Sequence, residues 1–305
     1  MRNYFIKTLS ELIRENKDIY LITGDLGFSV LENFMKSCPD QFINVGVAEQ
    51  NMIGVASGLA KEGKIPFVYS IANFPIMRCL EQIRNDVCYH NLNVKIVSVG
   101  GGYSYGTLGY THHGLEDIAV MRAIPGMKVI APGDPTETKL ATRSIVEASG
   151  PCYLRLGKAG EMVVHEEDPD FTIGKAILLR KGSDVSLIST GGILAEVVKA
   201  SSLLKKDGVG SCVVSMHTVK PIDDTIIQEM MNYKLIVTIE EHSSIGGLGS
   251  AVSEIVAKTG LIRTPMITLS AGSNLTKEIG SQDWFRGVMG LDALSIRAAV
   301  LEAFK

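Results

Sequence analysis

Short runs of apolar residues alternate with longer amphipathic segments along most of the chain. In the first half the apolar runs are DIYLITGD, INVGV, IPFVYSI, VKIVSVG, MKVIAPGD and PCYLRLG, separated by helix-like segments such as VLENFMKSC, EQIRNDVCYH and PTETKLATRSIVEA. Apolar residues follow one another within these runs, which is typical of a parallel sheet covered by helices on both faces. The pattern therefore predicts an α/β fold.

This pattern breaks around residues 157–172, where acidic residues, glycines and a proline follow one another without a clear period. Such a composition is typical of a linker. A second set of apolar runs follows it, namely DVSLISTGG, SCVVSMHTVKP, KLIVTIEEH and PMITLSA, with the helical segment ILAEVVKASSLLKKDG between the first two. We predict two α/β domains, the first over residues 1–165 and a smaller one over residues 171–305.

Composition and charge exclude several functional classes. The 305 residues carry a formal net charge of −3 with scattered lysines and arginines, so no surface for nucleic acid or a membrane is indicated. The N-terminus lacks the apolar segment of a signal peptide, and no run of about 18 apolar residues occurs, so a cytoplasmic protein is expected. The five cysteines show no C-x-x-C spacing, which argues against disulfides and zinc.

Glu49 opens an otherwise small and apolar segment, INVGVAEQNMIGVASGLA. One interpretation is a first-turn acid favoured by the helix dipole. A capping box fits poorly, because Gly46 stands where the box needs Ser or Thr. The alternative is a carboxylate buried at an interface, since Gly54 and Gly58 would let another helix approach. Such a carboxyl group, with burial and dipole acting in opposite directions, can exchange a proton with a bound base.

Two glycine-rich segments are candidates for ligand binding. The first, VGGGYSYGTLGYTHHG, is long for an unstructured connection, and such loops are usually functional or disordered. His112 and His113 close it, and a surface role and an acid–base or substrate-binding role are both open. No metal ligands accompany the pair at useful spacing, so no metal site is expected. The second segment, SSIGGLGSAVSEIV, lacks the G-x-G-x-x-G spacing, which favours helix–sheet packing over dinucleotide binding.

Several stretches together resemble the transketolase family of thiamine diphosphate enzymes. INVGVAEQNMIGVASGLAKEGKIPFVYSIANF, LEQIRNDV, YTHHGLEDIAVMRAIPGMKVIAPGDPTE and GPCYLRLGK are similar to its pyrimidine-binding domain, and VVSMHTVKPID and IEEHSSIGGLGSAV are similar to its C-terminal domain. The resemblance covers nearly the whole chain in order. It implies a pyrimidine-binding domain with a parallel sheet, followed by a smaller transketolase C-terminal domain.

The resemblance also implies roles for residues near the cofactor. Glu49 matches the family glutamate that shares a proton with N1′ of the aminopyrimidine ring, so that the cofactor itself supplies the base. Phe74 matches the aromatic residue that packs on this ring, although a core phenylalanine is the alternative. His112 matches the histidine that lies against the substrate and the reacting carbons. Asp25 matches an aspartate near the cofactor.

On the substrate side, Arg2, Ser29 and Arg155 fall where the family binds a substrate phosphate, and an arginine fork suits such an anion. Two positions depart from the family pattern. Leu108 replaces the substrate-facing aspartate, and Gly100 replaces a further phosphate-contacting histidine. Because a pocket without its polar partners discriminates differently, we predict a changed or narrower acceptor, such as a less hydroxylated aldehyde or one with another anionic group.

The family's diphosphate motif, G-D-G with a downstream asparagine, has no match, since neither GDLG nor PGDP fits it. We also expect that no diphosphate-binding domain precedes residue 1. The resemblance then implies the C-terminal subunit of a two-gene transketolase, inactive alone. A separate N-terminal subunit would hold the diphosphate and Mg²⁺ (or Ca²⁺), in an α2β2 assembly with self-association through the pyrimidine-binding domain.

Three functions are therefore weighed. The first is transfer of a two-carbon ketol unit from a ketose, expected to be a sugar phosphate, to an aldehyde. The second is the β subunit of a 2-oxo acid dehydrogenase E1, or a subunit resembling deoxyxylulose phosphate synthase. The third is a non-catalytic stabilising subunit, which Leu108 and Gly100 support and the retained Glu49 opposes.

Overall fold

The computed structural model describes residues 1–260, 264–274 and 276–305. In these ranges two β-sheets are each covered by helices on both faces, which confirms the predicted α/β fold. The strands, numbered along the chain, are β1 Ile19–Thr23, β2 Phe42–Asn44, β3 Ile65–Ile71, β4 Lys95–Val99, β5 Lys128–Ile130, β6 Cys152–Leu156, β7 Ile177–Arg180, β8 Val185–Thr190, β9 Ser211–Ser215, β10 Thr218–Lys220, β11 Leu235–Glu240 and β12 Met266–Leu269.

Helices connect most of these strands. They are α1 Arg2–Glu15, α2 Glu32–Ser37, α3 Glu49–Lys61, α4 Phe74–Met77, α5 Leu80–Gln82, α6 Asp117–Ala123, α7 Pro135–Glu147, α8 Leu194–Lys206, α9 Asp224–Met230, α10 Leu248–Lys258, α11 Gln282–Val288 and α12 Ala293–Ala303. A π-helical turn, Ile83–Cys88, follows α5, and four short 3₁₀ turns lie at Pro39–Gln41, Gly106–Leu108, Tyr110–His112 and Gly191–Ile193.

The first sheet has the spatial order β10-β5-β6-β4-β3-β1-β2, and its pairs from β5 to β2 are parallel. Neighbouring residues of its strands enter different cores. Phe67 packs with α1 and α7 on one face, whereas Val68 packs with α3 and α6 on the other. Since side chains alternate across a strand, a sheet with two buried faces needs an apolar residue at every position. This is why the strands read as continuous apolar runs.

The second sheet has the order β12-β11-β8-β9-β7, with helices α8 and α12 on one face and α9 and α10 on the other. Its edge strand β7 is antiparallel to β9. The segment SCVVSMHTVKP, which the pattern assigns to this second set, is divided between the sheets. Its strand β9 stays in the second sheet, but β10 pairs antiparallel with β5 of the first, with Thr218 opposite Ile130. An edge strand of three residues carries too short a pattern for the sequence to assign its partner.

A buried arginine of the first half, Arg155, contacts both halves of the chain. Arg155 Nε donates to Asp117 Oδ2 at 2.7 Å, and Arg155 Nη2 donates to the backbone oxygens of Gly114 and Glu241 at 2.7 and 2.9 Å. Glu241, from the second half, accepts from Arg286 Nε at 2.7 Å. Because Gly114 ends the glycine-rich loop, Arg155 links this loop to the end of β11. No helix in the described ranges is long and apolar enough to span a bilayer.

Candidate active site

Glu49 lies at the carboxyl ends of β1 and β2, where ligands bind in open α/β sheets. After β2 the chain turns at Gly46, which has φ +72°, and Glu49 is the first residue of α3. The glutamate is only 4% exposed. A Cβ atom on Gly24, which follows β1, would lie 3.9 Å from Glu49 Cγ, so both strand ends border the same carboxylate. The acid at the head of α3 is thus buried, as the interface interpretation requires.

Arg78 is the charged partner of this carboxylate, and sequence reasoning missed it. Its Nη1 donates to Glu49 Oε2 at 2.8 Å. The same guanidinium lies over the ring of Phe74, 5.1 Å from its centroid. Phe74 and Arg78 are four residues apart, and this i,i+4 spacing on a helical turn was the signal that could have paired them.

His112 also contacts Phe74. The two ring centroids are 5.2 Å apart at an angle of 69°, an edge-to-face contact. Thr111 Oγ1 is 3.0 Å from His112 Nδ1, which leaves Nε2 for another partner. Burial lowers the pKa of His112, so the imidazole is neutral at pH 7 and can both donate and accept a proton. Glu49, Arg78, Phe74 and His112 form a continuous row of contacts.

His113, the second histidine of the pair, serves the loop instead. It is fully buried, and its ring lies edge-on to Tyr103 and Phe285, 5.1 Å from each centroid. Burial also lowers the pKa of His113. Its backbone oxygen accepts a hydrogen bond from Asn73 Nδ2, which joins the loop to the turn before Phe74. The two histidines therefore have different surroundings, and only His112, which the resemblance singled out, joins the row.

Asp25 and Ser29 lie in the connection after β1, and both are exposed. They have positive φ values of 56° and 63°, which non-glycine residues rarely adopt and which are enriched at functional sites. Asp25 and Asn44 exchange two hydrogen bonds of 3.0 Å, and Ser29 N–H donates to Glu32 Oε1 at 2.6 Å. These contacts hold the connection in place beside the carboxyl ends of β1 and β2. The roles of Asp25 and Ser29 in cofactor and phosphate binding stay predictions.

Arg2 and Tyr105 face each other at the far end of the row. Arg2 Nε is buried and has no hydrogen-bond partner among the described residues. Burial raises the pKa of the Tyr105 phenol, and the charge and hydrogen bonding of Arg2 oppose this rise. The Tyr105 ring centroid lies 6.3 Å from that of His112. Leu108, in the 3₁₀ turn between them, is 52% exposed.

Arg155 has different surroundings from Arg2 and Ser29. Arg155 is 4% exposed, and its contacts with Asp117, Gly114 and Glu241 use three of its five N–H donors inside the protein. Only its Nη1 group is left for a ligand among the described residues. The predicted phosphate contact of Arg155 stays a prediction, while its contacts here are structural.

One group of metal-ligand side chains lies together in the described ranges, with ligand atoms of Asp134, Glu137 and His165 within 4.8 Å of one another. Asp134 accepts from the backbone N–H groups of Glu137, Val164 and His165 at 2.7 to 3.0 Å. Glu137 accepts from Gly133 N–H at 2.6 Å and pairs with His165 Nε2 at 2.8 Å. Burial would raise the pKa of Glu137, but the hydrogen bond from His165 lowers it. The group therefore caps α7, with Glu137 hydrogen-bonded to His165.

Two family models match the chain. The pyrimidine-binding domain of transketolase matches residues 1–160, and the C-terminal domain of transketolase matches residues 174–292. A solved structure described as a split gene transketolase, an inactive β4 tetramer, superposes with a TM-score of 0.90 at 36% identity, covering 99% of this chain and 97% of that one.

Three curated relatives match over most of their own length. A putative transketolase C-terminal section from Methanocaldococcus jannaschii is 41% identical, covering 100% of this chain and 96% of the relative. One of the subunits of the apulose-4-phosphate transketolase from Phocaeicola vulgatus is 40% identical, with coverages of 84% and 83%. A subunit of the 6-deoxy-6-sulfo-D-fructose transketolase from Clostridium sp. is 37% identical, with coverages of 99% and 94%.

Proposed function

The chain belongs to the transketolase family, and from this premise we propose that it is the C-terminal subunit of a split, thiamine diphosphate-dependent transketolase. Its reaction is the transfer of a two-carbon ketol unit from a ketose to an aldehyde. The observation that carries the proposal is the buried Glu49 carboxylate at the head of α3, which Arg78 links to the half-buried ring of Phe74. In the proposed arrangement residues 1–165 form the pyrimidine-binding domain and residues 171–305 the C-terminal domain.

Glu49 and Phe74 fit the pyrimidine end of the cofactor. A protonatable heteroaromatic ring needs an anionic acceptor for its N–H and a flat apolar surface, and Glu49 and Phe74 supply these side by side. Their link is Arg78, which pairs with Glu49 and lies over Phe74. When bound, thiamine diphosphate supplies the carbon nucleophile for ketol transfer.

The side chains of the row have distinct tasks. Glu49 holds a proton between its carboxylate and the pyrimidine nitrogen, and Phe74 orients the ring. Because the Arg78 side chain is exposed, its guanidinium can move from Glu49 into water when the pyrimidine nitrogen takes its place. His112 is neutral at pH 7 and moves or holds a proton at the substrate oxygen nearest its Nε2.

The diphosphate end belongs to a second chain in this proposal. The metal-ligand group Asp134, Glu137 and His165 is used to cap α7, so it does not suit a metal that carries phosphates. We assign the diphosphate and Mg²⁺ (or Ca²⁺) to an N-terminal partner subunit in an α2β2 assembly in the cytoplasm, with contacts between copies of the pyrimidine-binding domain. The similarity to a β4 tetramer described as inactive supports the need for such a partner.

Reconstitution tests the proposal. The partner is sought among the products of neighbouring genes that carry a G-D-G motif, and the mixture with thiamine diphosphate and Mg²⁺ should transfer a ketol unit. Glu49→Gln keeps the side-chain size but removes the proton acceptor, so turnover should fall by at least about 100-fold. The matched control is Glu62→Gln at the exposed end of the same helix, which should be neutral.

Two outcomes would contradict the proposal. Normal turnover of the Glu49→Gln complex would remove the carboxylate from the mechanism and favour a stabilising subunit. Release of carbon dioxide from pyruvate without ketol transfer would place the chain with E1 or with deoxyxylulose phosphate synthase.

A further inference from the structure

A cavity of about 520 Å³ opens in the second half of the chain, between the edge strand β7, helix α8 and the start of strand β9. The polar side chains that line it are Arg180, Lys181, Lys205, Ser201, Ser202 and Ser211. A cavity of this size holds a small molecule, since ligand pockets generally measure about 300–1,000 Å³. None of the residues assigned to the candidate active site lines it.

The cavity lies at the amino end of β9, which Ser211 begins. Strands β8, β9 and β11 are parallel, and the residues that follow β8 and β11, Gly191 and Glu241, lie against Arg155 of the first half. The first and last Cα atoms of a five-residue strand are about 13 Å apart. A ligand in this cavity therefore lies apart from the candidate active site.

The lining carries positive charge and no carboxylate. Arg180, Lys181 and Lys205 contribute three cations, and none of them forms an ion pair within residues 1–260, 264–274 and 276–305. Like charges that share a cavity repel one another. The chain as a whole has a net charge of −3, so composition alone does not account for such a group. An anion between the three side chains would remove their repulsion.

The acids beside the lining segments are engaged elsewhere. Asp184 pairs with Lys234 Nζ at 2.7 Å and accepts from the Gly210 N–H at 2.9 Å. Asp207 accepts two hydrogen bonds from Arg297, of 2.5 and 2.6 Å. Each of these carboxylates thus has its own cation, and the charge of the cavity is left to a ligand.

Arg180 is held with one edge of its guanidinium open. Its Nη1 donates to the Val198 backbone oxygen at 3.0 Å and to Ser201 Oγ and Ser202 Oγ at 3.2 and 2.9 Å. Its Nε and Nη2 donate to no acceptor in the part of the chain that the structure describes. These two groups form the planar fork that binds two oxygens of one phosphate group side by side. Helix α8 therefore fixes the arginine and leaves its fork for a ligand.

Two buried hydroxyl groups add a further donor to the lining. Ser211 and Ser201, which are 7% and 4% exposed, share one hydrogen bond of 2.8 Å between their Oγ atoms. Two hydroxyls carry two hydrogen atoms, and this bond uses one of them. The other hydrogen has no acceptor among the described residues. Because a buried donor without an acceptor is costly, it points to an oxygen that the chain itself does not supply.

We propose that this cavity binds a small phosphorylated metabolite, whose phosphate group is held by the fork of Arg180 and the ammonium groups of Lys181 and Lys205. Phosphate offers several acceptor oxygens and negative charge, which match the cations, the fork and the free hydroxyl hydrogen. The rest of the cavity accommodates the remainder of the ligand. Since the site is concave, it suits a small molecule and not the flat surface of a membrane. Ketol transfer plays no part in this binding.

Isothermal titration of the full chain with inorganic phosphate tests the site. Arg180→Met and Lys205→Met remove a charge and keep most of the stem, so each should bind phosphate about tenfold more weakly, the loss of one charge-assisted contact. Arg180→Lys keeps the charge but removes the fork, and it should also bind more weakly. Lys206→Met is the matched control and should bind as the wild type does, because Lys206 is exposed on α8 and lies outside the lining.

Two further arms separate this site from other phosphate binding. The titrations are repeated in the Arg2→Met background, which removes a predicted phosphate contact of the candidate active site, and the dependence on Arg180 and Lys205 should persist. Vesicles that contain phosphatidic acid should not sediment the chain. Circular dichroism and urea unfolding of each variant confirm its fold.

Four results would overturn the inference: no phosphate binding by the wild type, equal weakening by Lys205→Met and Lys206→Met, disappearance of the Arg180 dependence in the Arg2→Met background, or capture by vesicles that requires Arg180. The last result would assign the cavity to a membrane surface. A reconstituted complex without ketol transfer would refute the proposed function and leave this site in place, since the two share no residue.

Discussion

Arg78 Nη1 lies 2.8 Å from Glu49 Oε2, although the arginine side chain is 55% exposed and that of the glutamate only 5%. A movable cation at the surface therefore compensates a buried carboxylate. The guanidinium is also in contact with the Phe74 ring, so one side chain organises both groups that we assign to the pyrimidine end of the cofactor. The loss of such a residue should affect both stability and activity.

Arg78→Met should lower the free energy of unfolding by about 1–3 kcal/mol, because it leaves the buried Glu49 carboxylate without its partner. In the reconstituted complex the same variant should lower kcat/KM by about tenfold, since Glu49 and Phe74 lose the group that links them. Urea unfolding and steady-state kinetics measure the two effects. Arg84→Met, at an exposed arginine two turns further on, is the control, and equal losses in both variants would contradict the assignment.

His112→Asn should lower kcat by about 100-fold or more, because it removes a group that can donate and accept a proton at neutral pH. Burial lowers the pKa of His112, so in the wild type the neutral imidazole persists below its ordinary pKa of about 6.5. The acid limb of the wild-type pH–rate profile should lie below that value. His90→Asn, at an exposed histidine, should leave kcat unchanged; an unchanged kcat in His112→Asn would exclude His112 from the chemistry.

The Arg155–Asp117 pair should contribute to stability rather than to binding alone. Both side chains are almost completely buried, and removing one leaves the other as an uncompensated charge. Arg155→Met and Asp117→Asn should each cost about 3–5 kcal/mol of unfolding free energy, and the double variant less than their sum. Arg297→Met, which breaks the more exposed pair with Asp207, should cost less than about 1 kcal/mol. Additive losses in the double variant would argue against direct coupling.

His217 should make the chain less stable in acid. Burial lowers its pKa to about 4, the nearby Glu137 opposes this shift and His165 adds to it, and its ring stacks on Phe171 at 3.9 Å. Between that value and about 6.5 the unfolded chain binds a proton that the folded chain does not, so stability falls as pH falls. From pH 7 to pH 5 this amounts to about 2 kcal/mol.

The variant His217→Gln isolates this effect, because Glu137 and His165 are present in both proteins. Urea unfolding at pH 7 and pH 5 should show a smaller loss for the variant than for the wild type. Equal losses would mean that His217 is protonated within the fold.

Much of the fold could be predicted from the order of residues. Three of the predicted runs contain the strands Ile19–Thr23, Lys95–Val99 and Cys152–Leu156. They could be predicted because the strands of a sheet buried on both faces are continuous apolar runs in the sequence. The family could also be read from spaced motifs, and the model matches confirm it. The sheet of the edge strand Thr218–Lys220 was predicted wrongly, since its three residues pair with β5 of the first half of the chain.

The sequence by itself determined the α/β architecture and the position of Glu49 at the head of a helix, because both depend on local periodicity and local backbone geometry. Only the tertiary structure decided that Arg78 pairs with Glu49, that Tyr105 fills the space of Gly100, and that the donors of Arg155 are mostly used inside the protein. Such contacts join side chains from different elements. They depend on how the elements pack in three dimensions, and a one-dimensional pattern does not record that.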